Sequence, residues 1–252
     1  MKQTLFFLLL LLLPGLNQRL AAQTQTPPQP AAAHGGTSSV YGPATLGFAF
    51  GMGQSKQHIN YQDAFDGEFL PARVFSFGLQ YGKPISEHLA WQIELGLTQH
   101  GFRLKQTVYS YGVKVVGKAD ARVRYLELPF LLLYRQPVGK KGLTLAAAPG
   151  FSLGYATSAK IVTRASGKND ARNVHTKIED NISLKGTAFG DRLDAALQLG
   201  ARGEYPLKPG KVFLELRYHL GILNLDRNIG DSQDKTFNRS WLLRLGYCYA
   251  LK

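Results

Sequence analysis

From Ala44 onward, apolar residues alternate with small or polar ones at a period of two, and the alternation recurs in eight segments. The apolar positions of the first four are Leu46–Met52, Phe75–Tyr81, Leu89–Leu97 and Leu126–Tyr134, taken at every second residue. Those of the last four run over 143–155, 193–205, 212–222 and 241–251 on the same rule. Most are regular over about ten residues, and helical periodicity fits none of them as well. A tilted strand of about ten residues spans roughly the ~25 Å apolar band of a membrane barrel.

The links between segments alternate in length. Short links at 83–88, 136–142 and 206–211 follow the second, fourth and sixth segments, and each carries Pro, Gly or both, as tight turns require. Long links follow the first, third, fifth and seventh, the longest over 157–191. Alternating long and short connections, with an even strand number, characterise transmembrane barrels, in which both chain ends lie on the periplasmic side.

The two faces of the segments decide what kind of barrel is expected. One face is almost uniformly Leu, Phe, Val, Ile, Trp and Tyr. The other mixes Gly, Ala and Ser with Glu94, Glu127, Arg202, Glu204, Glu215, Arg217 and Arg244. The interior of an eight-stranded barrel is narrow and filled by side chains. Seven charges make a poor soluble core, but they fit a lumen in which opposite charges pair while the apolar face meets lipid. The expectation is an all-β fold, an eight-stranded antiparallel up-and-down transmembrane β-barrel without an open aqueous channel. Aromatics toward the segment ends, including Tyr81, Tyr134, Tyr155, Tyr205, Trp241, Tyr247 and Tyr249, suit an interfacial girdle.

The stretch RYLELPFLLLYR (124–135) condenses the pattern. Its even-numbered residues from Leu126 to Tyr134 are apolar, while Glu127, Pro129, Leu131 and Leu133 share the other face. Leu131 and Leu133 predict a dry, plugged periplasmic end of the lumen. Pro129, and Pro149 one segment later, lack a ladder donor and predict a bulge or a locally broken ladder.

Lys2 and the unbroken apolar run of residues 5–13, followed by Ala21 and Ala22, have the layout of a cleaved signal peptide over 1–22. Residues 23–43 are Pro-, Ala- and Gly-rich and read as a flexible leader, and 44–252 as the barrel domain. Cys248 is the single cysteine, so no internal disulfide is expected. The formal net charge is +13. For an exported protein this favours anionic lipid head groups, lipopolysaccharide or a surface polymer over nucleic acid as the counter-charge. The segment 103–124 holds six cations against Asp120, and 157–191 is rich in Lys and Arg, so basic outer loops are the expected functional surface.

Candidate chemistry is sparse. His34, His58, His88, His100, His175 and His219 are dispersed, with neither H-x-x-x-H nor C-x-x-C, and no metal or cofactor site is expected. No serine sits in a recognisable nucleophile context, at a turn from strand to helix, and no catalytic residue is assigned. His100 and His219 fall near the outer ends of their segments and are the candidates should the barrel modify lipids. The glycines of GFAFGMG (47–53) alternate as strand residues do and precede no phosphate-binding helix.

YLELP (125–129) before an apolar run, GEYPL (203–207), FLELRY (213–218) and Asn238-Arg239 ahead of the last segment resemble, in order and spacing, the PorT-like outer-membrane β-barrel family. The resemblance covers essentially 44–252 and implies an eight-stranded barrel in the cell outer membrane. The reading is thus an integral, non-enzymatic barrel with a structural or partner-binding role through its outer loops, touching outer-membrane lipid and envelope proteins. A lipid-modifying barrel enzyme and a soluble exported ligand-binding barrel are the alternatives.

Overall fold

The computed structural model describes residues 42–59, 67–110, 113–139, 142–169, 172–182, 192–225 and 235–251. The expected signal peptide and all but the last two residues of the leader lie outside the described residues. Among the described residues there are nine strands: β1 (Thr45–Ile59), β2 (Gly67–Pro84), β3 (Leu89–Ser110), β4 (Val113–Val138), β5 (Leu143–Asn169), β6 (Arg172–Ile182), β7 (Leu193–Leu207), β8 (Gly210–Gly221) and β9 (Thr236–Ala250).

The sheet order is β4-β3-β2-β1-β9-β8-β7-β5-β6, and β4 also pairs with β5. That last pairing closes the ring. Every neighbouring pair is antiparallel, and the first and last strands run together from Thr45↔Ala250 to Ile59↔Thr236. The barrel is therefore eight-stranded, as its alternation predicts, and β6 lies outside the ring, paired along the outer half of β5.

Two segments expected as loops are strands instead. β3 and β4 stay paired out to Ser110↔Val113, so most of 103–124 is a hairpin. β5 continues to Asn169 and folds back as β6 within 157–191. Their period of two is hidden because both faces are polar, yet β-branched residues such as Val115, Val116, Ile161, Val162 and Thr163 favour extended chain.

Alternation within each strand sorts the two faces. Leu126, Leu128, Phe130, Leu132 and Tyr134 of β4 are 40–43 % exposed, whereas Glu127, Leu131 and Leu133 between them are 5 %, 0 % and 0 % exposed. The same inversion holds around the ring, with Leu79, Leu95, Leu153, Leu197, Leu216 and Leu243 on the outside. Phe130 stacks with Trp91 and Phe151 across three strands of that outer surface.

At the periplasmic end Leu131 and Leu133 pack on Ala90 and Ala148, which makes that end apolar as expected. Beside them Phe213 packs on Ala49 and Cys248. Its ring uses the space over Gly246, where an added Cβ would stand 2.3 Å from it. Near the outer end Val123, Tyr125, Ala156 and Ala159 form a second apolar layer.

The prolines interrupt pairing without shifting it. Between β3 and β4, partners stop at Ile93↔Phe130 and resume at Gly96↔Glu127 in the same register, beside Pro129. Between β4 and β5 they stop at Leu131↔Gly150 and resume at Tyr134↔Ala147, beside Pro149. Each ladder is thus locally broken on one side only, while Pro129↔Ser152 and Pro149↔Leu199 hold on the other. The register shifts fall elsewhere, at Arg124/Tyr125 against β5 and between Pro71 and Ser76 against β3.

If the outer face meets hydrocarbon, Leu95→Arg near mid-depth should cost about 2–4 kcal/mol of folding stability. Denaturant titration of the barrel in lipid checks this, and a loss under about 0.5 kcal/mol, the usual limit for surface substitutions, would count against a lipid-facing position.

Candidate functional site

Inward-facing residues on five strands bring charged side chains into the lumen. Glu94 of β3 stands between two guanidinium groups. Arg217 Nη2 and Nη1 donate to its two oxygens at 2.7 and 2.9 Å, and Arg244 Nη2 and Nη1 donate at 2.9 and 3.2 Å. Both clamps are bidentate, the geometry that suits a planar guanidinium to a carboxylate. Glu215 of β8 accepts from Arg202 Nε at 2.6 Å, from Arg244 at 3.3 Å and closely from Arg217.

Neutral amides extend this layer. Gln92 accepts from Arg202 at 2.9 Å and donates to Glu94 and Gln80, and Gln80 reaches the Cys248 sulfur at 2.8 Å. The Arg202 guanidinium also lies over the Phe213 ring, 4.2 Å from its centroid. The small residues opposite make room for these side chains: a Cβ on Gly51 would stand 2.8 Å from Arg244 Cγ.

The structure therefore joins Glu94, Arg202, Glu215, Arg217 and Arg244 in one layer. Glu204 sits at its periplasmic edge, 3.6 Å from Arg202, and is shared with Lys211 at 2.5 Å and Arg135 at 3.6 Å. Arg135, the last residue of RYLELPFLLLYR, lies in β4 and takes part here. Glu127 departs from expectation, because no arginine or lysine pairs with it among the described residues. Its partners are His100 Nε2 at 3.0 Å and His219 Nδ1 at 3.7 Å.

Glu127 belongs to a separate, outer layer. The rings of His100 and His219, far apart in sequence, have centroids 4.4 Å apart across the lumen. His219 Nε2 lies 4.0 Å from Asp194, whose other partner is Asn238, donating at 2.8 Å. Asp194, Asn238, Gln92 and Gln198 share the inward parity of the seven charges, a signal that periodicity carries for any strand once its face is assigned. The pairing of the histidines depends on which strands face each other across the ring, and no spacing motif encodes that. A space of about 20 Å³ separates the two layers, bounded by Glu94, Arg217 and Arg244 on one side and by Glu127 and His219 on the other.

Above the apolar band the outward face of the wall turns basic. On β4, Leu128 and Leu126 give way to Arg124, Arg122, Asp120 and Lys118 at the same parity. On β5 the outward residues are odd-numbered up to Tyr155. The register shift at Arg124/Tyr125, with Thr157 left over, then turns Ser158, Lys160 and Arg164 outward. A β-bulge has this effect because two residues oppose one.

Cross-strand pairing aligns Lys105, Lys118, Arg164 and Lys177 in one row of four cations. Part of this face is a groove of about 540 Å³ that includes Arg122, Arg124, Lys160, Arg164 and Lys177. Asp120 is held by Arg122, whose pKa rises with that hydrogen bond. Glu179 is held by Lys160 and Lys177, whose hydrogen bonds lower its carboxyl to about 2. Arg124 and Arg164 have no carboxylate partner among the described residues.

Comparison with known proteins agrees with this architecture. The family described as outer membrane protein beta-barrel domain matches residues 22–227. No curated protein matches the sequence. Among solved structures, OprG of Pseudomonas aeruginosa is similar at 13 % identity and a TM-score of 0.45, over 84 % of this chain and 98 % of that one. Neisserial surface protein A is similar at 13 % identity and a TM-score of 0.40, over 82 % and 97 %. The attachment invasion locus protein Ail of Yersinia pestis is similar at 12 % identity and a TM-score of 0.36, over 82 % and 99 %.

Breaking a buried pair from one side leaves an uncompensated charge, at about 3–5 kcal/mol. Glu94→Ala leaves Arg217 and Arg244 to share Glu215 alone and should lose that much stability. Glu127→Ala faces histidines that can stay neutral, and its loss should be nearer the 1–3 kcal/mol of an unmet buried polar group. Unfolding midpoints in one detergent give the order, and equal or reversed losses would contradict the division into two layers.

Proposed function

The chain belongs to the outer membrane protein beta-barrel domain family and is an integral protein of the cell outer membrane, and on that footing we propose a non-enzymatic barrel, closed to solute flow, that binds anionic groups through its basic outer hairpins. The anions nearest that face are the phosphates and acidic sugars of lipopolysaccharide, or an acidic surface polymer. The finer kinship with PorT-like barrels rests on YLELP and FLELRY and is part of the proposal.

The observation that carries the reading is the outward face of β4 and β5. It passes from hydrocarbon-compatible leucines to Arg124, Arg122, Lys160 and Arg164 within a few residues, at the level where head groups begin. Cations at that depth gain about 1 kcal/mol each from an anionic membrane surface. Closure to flow is supported by the crossed arginine clamps and by the apolar end at Leu131 and Leu133.

A lipid-modifying enzyme would need its candidate histidines at the lipid surface. His100 and His219 instead point inward at 1 % and 3 % exposure. A soluble ligand-binding barrel would turn its apolar face inward, the reverse of the arrangement here.

Lipopolysaccharide retained by the folded barrel through detergent purification, and its release by salt, tests the proposal. The triple variant Arg124→Glu, Lys160→Glu, Arg164→Glu should fold normally, judged by heat-modifiable migration, and retain several-fold less. Retention equal to the unmodified protein would remove this face from the binding role.

A further inference from the structure

We propose that His100, Glu127 and His219 form a binding site for a first-row divalent transition-metal ion inside the barrel, with Asp194 orienting one of its ligands. All three side chains are buried, and their ligand atoms lie within 4.8 Å of one another. His100 Nε2 and His219 Nδ1 both face Glu127 Oε1, at 3.0 and 3.7 Å. An ion held tetrahedrally at ~2.0–2.1 Å by nitrogen and oxygen keeps its donors roughly 3.3–3.4 Å apart. The observed separations lie on either side of that value, so rotamer adjustments alone can gather the donors around one ion.

The surroundings point the same way independently. His219 Nε2, the nitrogen turned away from Glu127, has no hydrogen-bond partner, and Asp194 Oδ1 also has none, although both residues are 3 % exposed. Asp194 Oδ2 lies 4.0 Å from that nitrogen and is steadied by Asn238. A metal on Nδ1 fixes the tautomer with the proton on Nε2, which then donates to Asp194. Carboxylate–histidine–metal chains of this kind are the usual outer support of such sites.

Charge balance adds a third argument. In the inner layer the carboxylates meet arginines. In this outer layer Glu127 and Asp194 have no arginine or lysine within ion-pair distance among the described residues, and a buried carboxylate without compensation is costly. A dication between two neutral imidazoles and Glu127 supplies that compensation. Two imidazoles and a carboxylate suit zinc, iron(II), nickel or copper(II) rather than calcium or magnesium.

The test folds the whole barrel in detergent in the presence of Zn²⁺, because the site is enclosed, removes excess metal and counts zinc per chain by mass spectrometry. The unmodified protein and the exposed-histidine control His88→Ala should retain one zinc per chain. His219→Gln and Glu127→Gln, which keep size and polarity, should fall to background while still migrating as folded barrel. Asp194→Asn should weaken affinity by about 10- to 100-fold without removing the ligands. Co²⁺ in place of Zn²⁺ should give visible d–d absorption that disappears in His219→Gln. If either glutamine variant does not fold, the other and His100→Gln carry the same comparison. Less than about a tenth of an equivalent in the unmodified protein, or equal metal in the unmodified and the His100→Gln, His219→Gln proteins, overturns the site.

Discussion

Hydrocarbon offers no hydrogen bonds, so every backbone amide and carbonyl crossing it must be paired within the protein, and only a closed ring of strands does so without an edge. Closure here rests on two pairings, β1 with β9, which joins residues distant in sequence, and β4 with β5, which pair as a hairpin. The rest of the architecture follows from holding them. The prolines are tolerated because each breaks a ladder on one side while the other side stays paired, so neither register nor parity changes along the apolar band. The register shifts lie toward the outer end, where water can satisfy the leftover backbone groups.

Eight strands leave a lumen just wide enough for side chains, and its contents are layered by depth. Leucines and Phe213 fill the periplasmic end, three arginines and two glutamates the middle, and imidazoles with two carboxylates the outer third. The middle layer has one more cation than anion, and Glu204 at its edge offsets the excess while also meeting Lys211 and Arg135. Low dielectric strengthens these pairs and makes an unpaired member expensive, so a channel through the layer would have to break several clamps together. The basic outer wall faces a different medium, where Arg124 and Arg164 remain hydrated and available to a mobile anion.

Parity made much of this legible. Because side chains alternate strictly along a strand, Glu94, Glu127 and Arg217 could be assigned to the inner face from their neighbours alone. What parity cannot give is height and partner. Pairing of opposite charges in the lumen would put Glu127 beside an arginine, yet β4 sets it one layer above the guanidinium groups, opposite β8 at His219. The histidine pair was invisible for the same reason, since β3 and β8 meet only across the lumen and no local motif records it. The outer hairpins read as loops because a strand with polar residues on both faces has no hydrophobic alternation to announce it, and pairing alone reveals 159–169 and 172–182 as sheet.

The inner charges also bear on how the chain selects this register over its neighbours. If both faces of these strands were apolar, sliding one strand by a single residue would exchange two acceptable surfaces, and the ring could close in several ways. With Glu94, Glu215, Arg202, Arg217 and Arg244 on one face, the same slip in β3, β7, β8 or β9 carries a charge into hydrocarbon. That costs about 2–4 kcal/mol for each arginine or lysine at mid-depth and less for each acid. Slipped strands would also forfeit the bidentate geometry at Glu94, which requires Arg217 and Arg244 at one height. The penalty falls on the wrong register whatever the clamps contribute to the stability of the right one, because it arises from lipid outside the barrel rather than from the strength of the pairs within it.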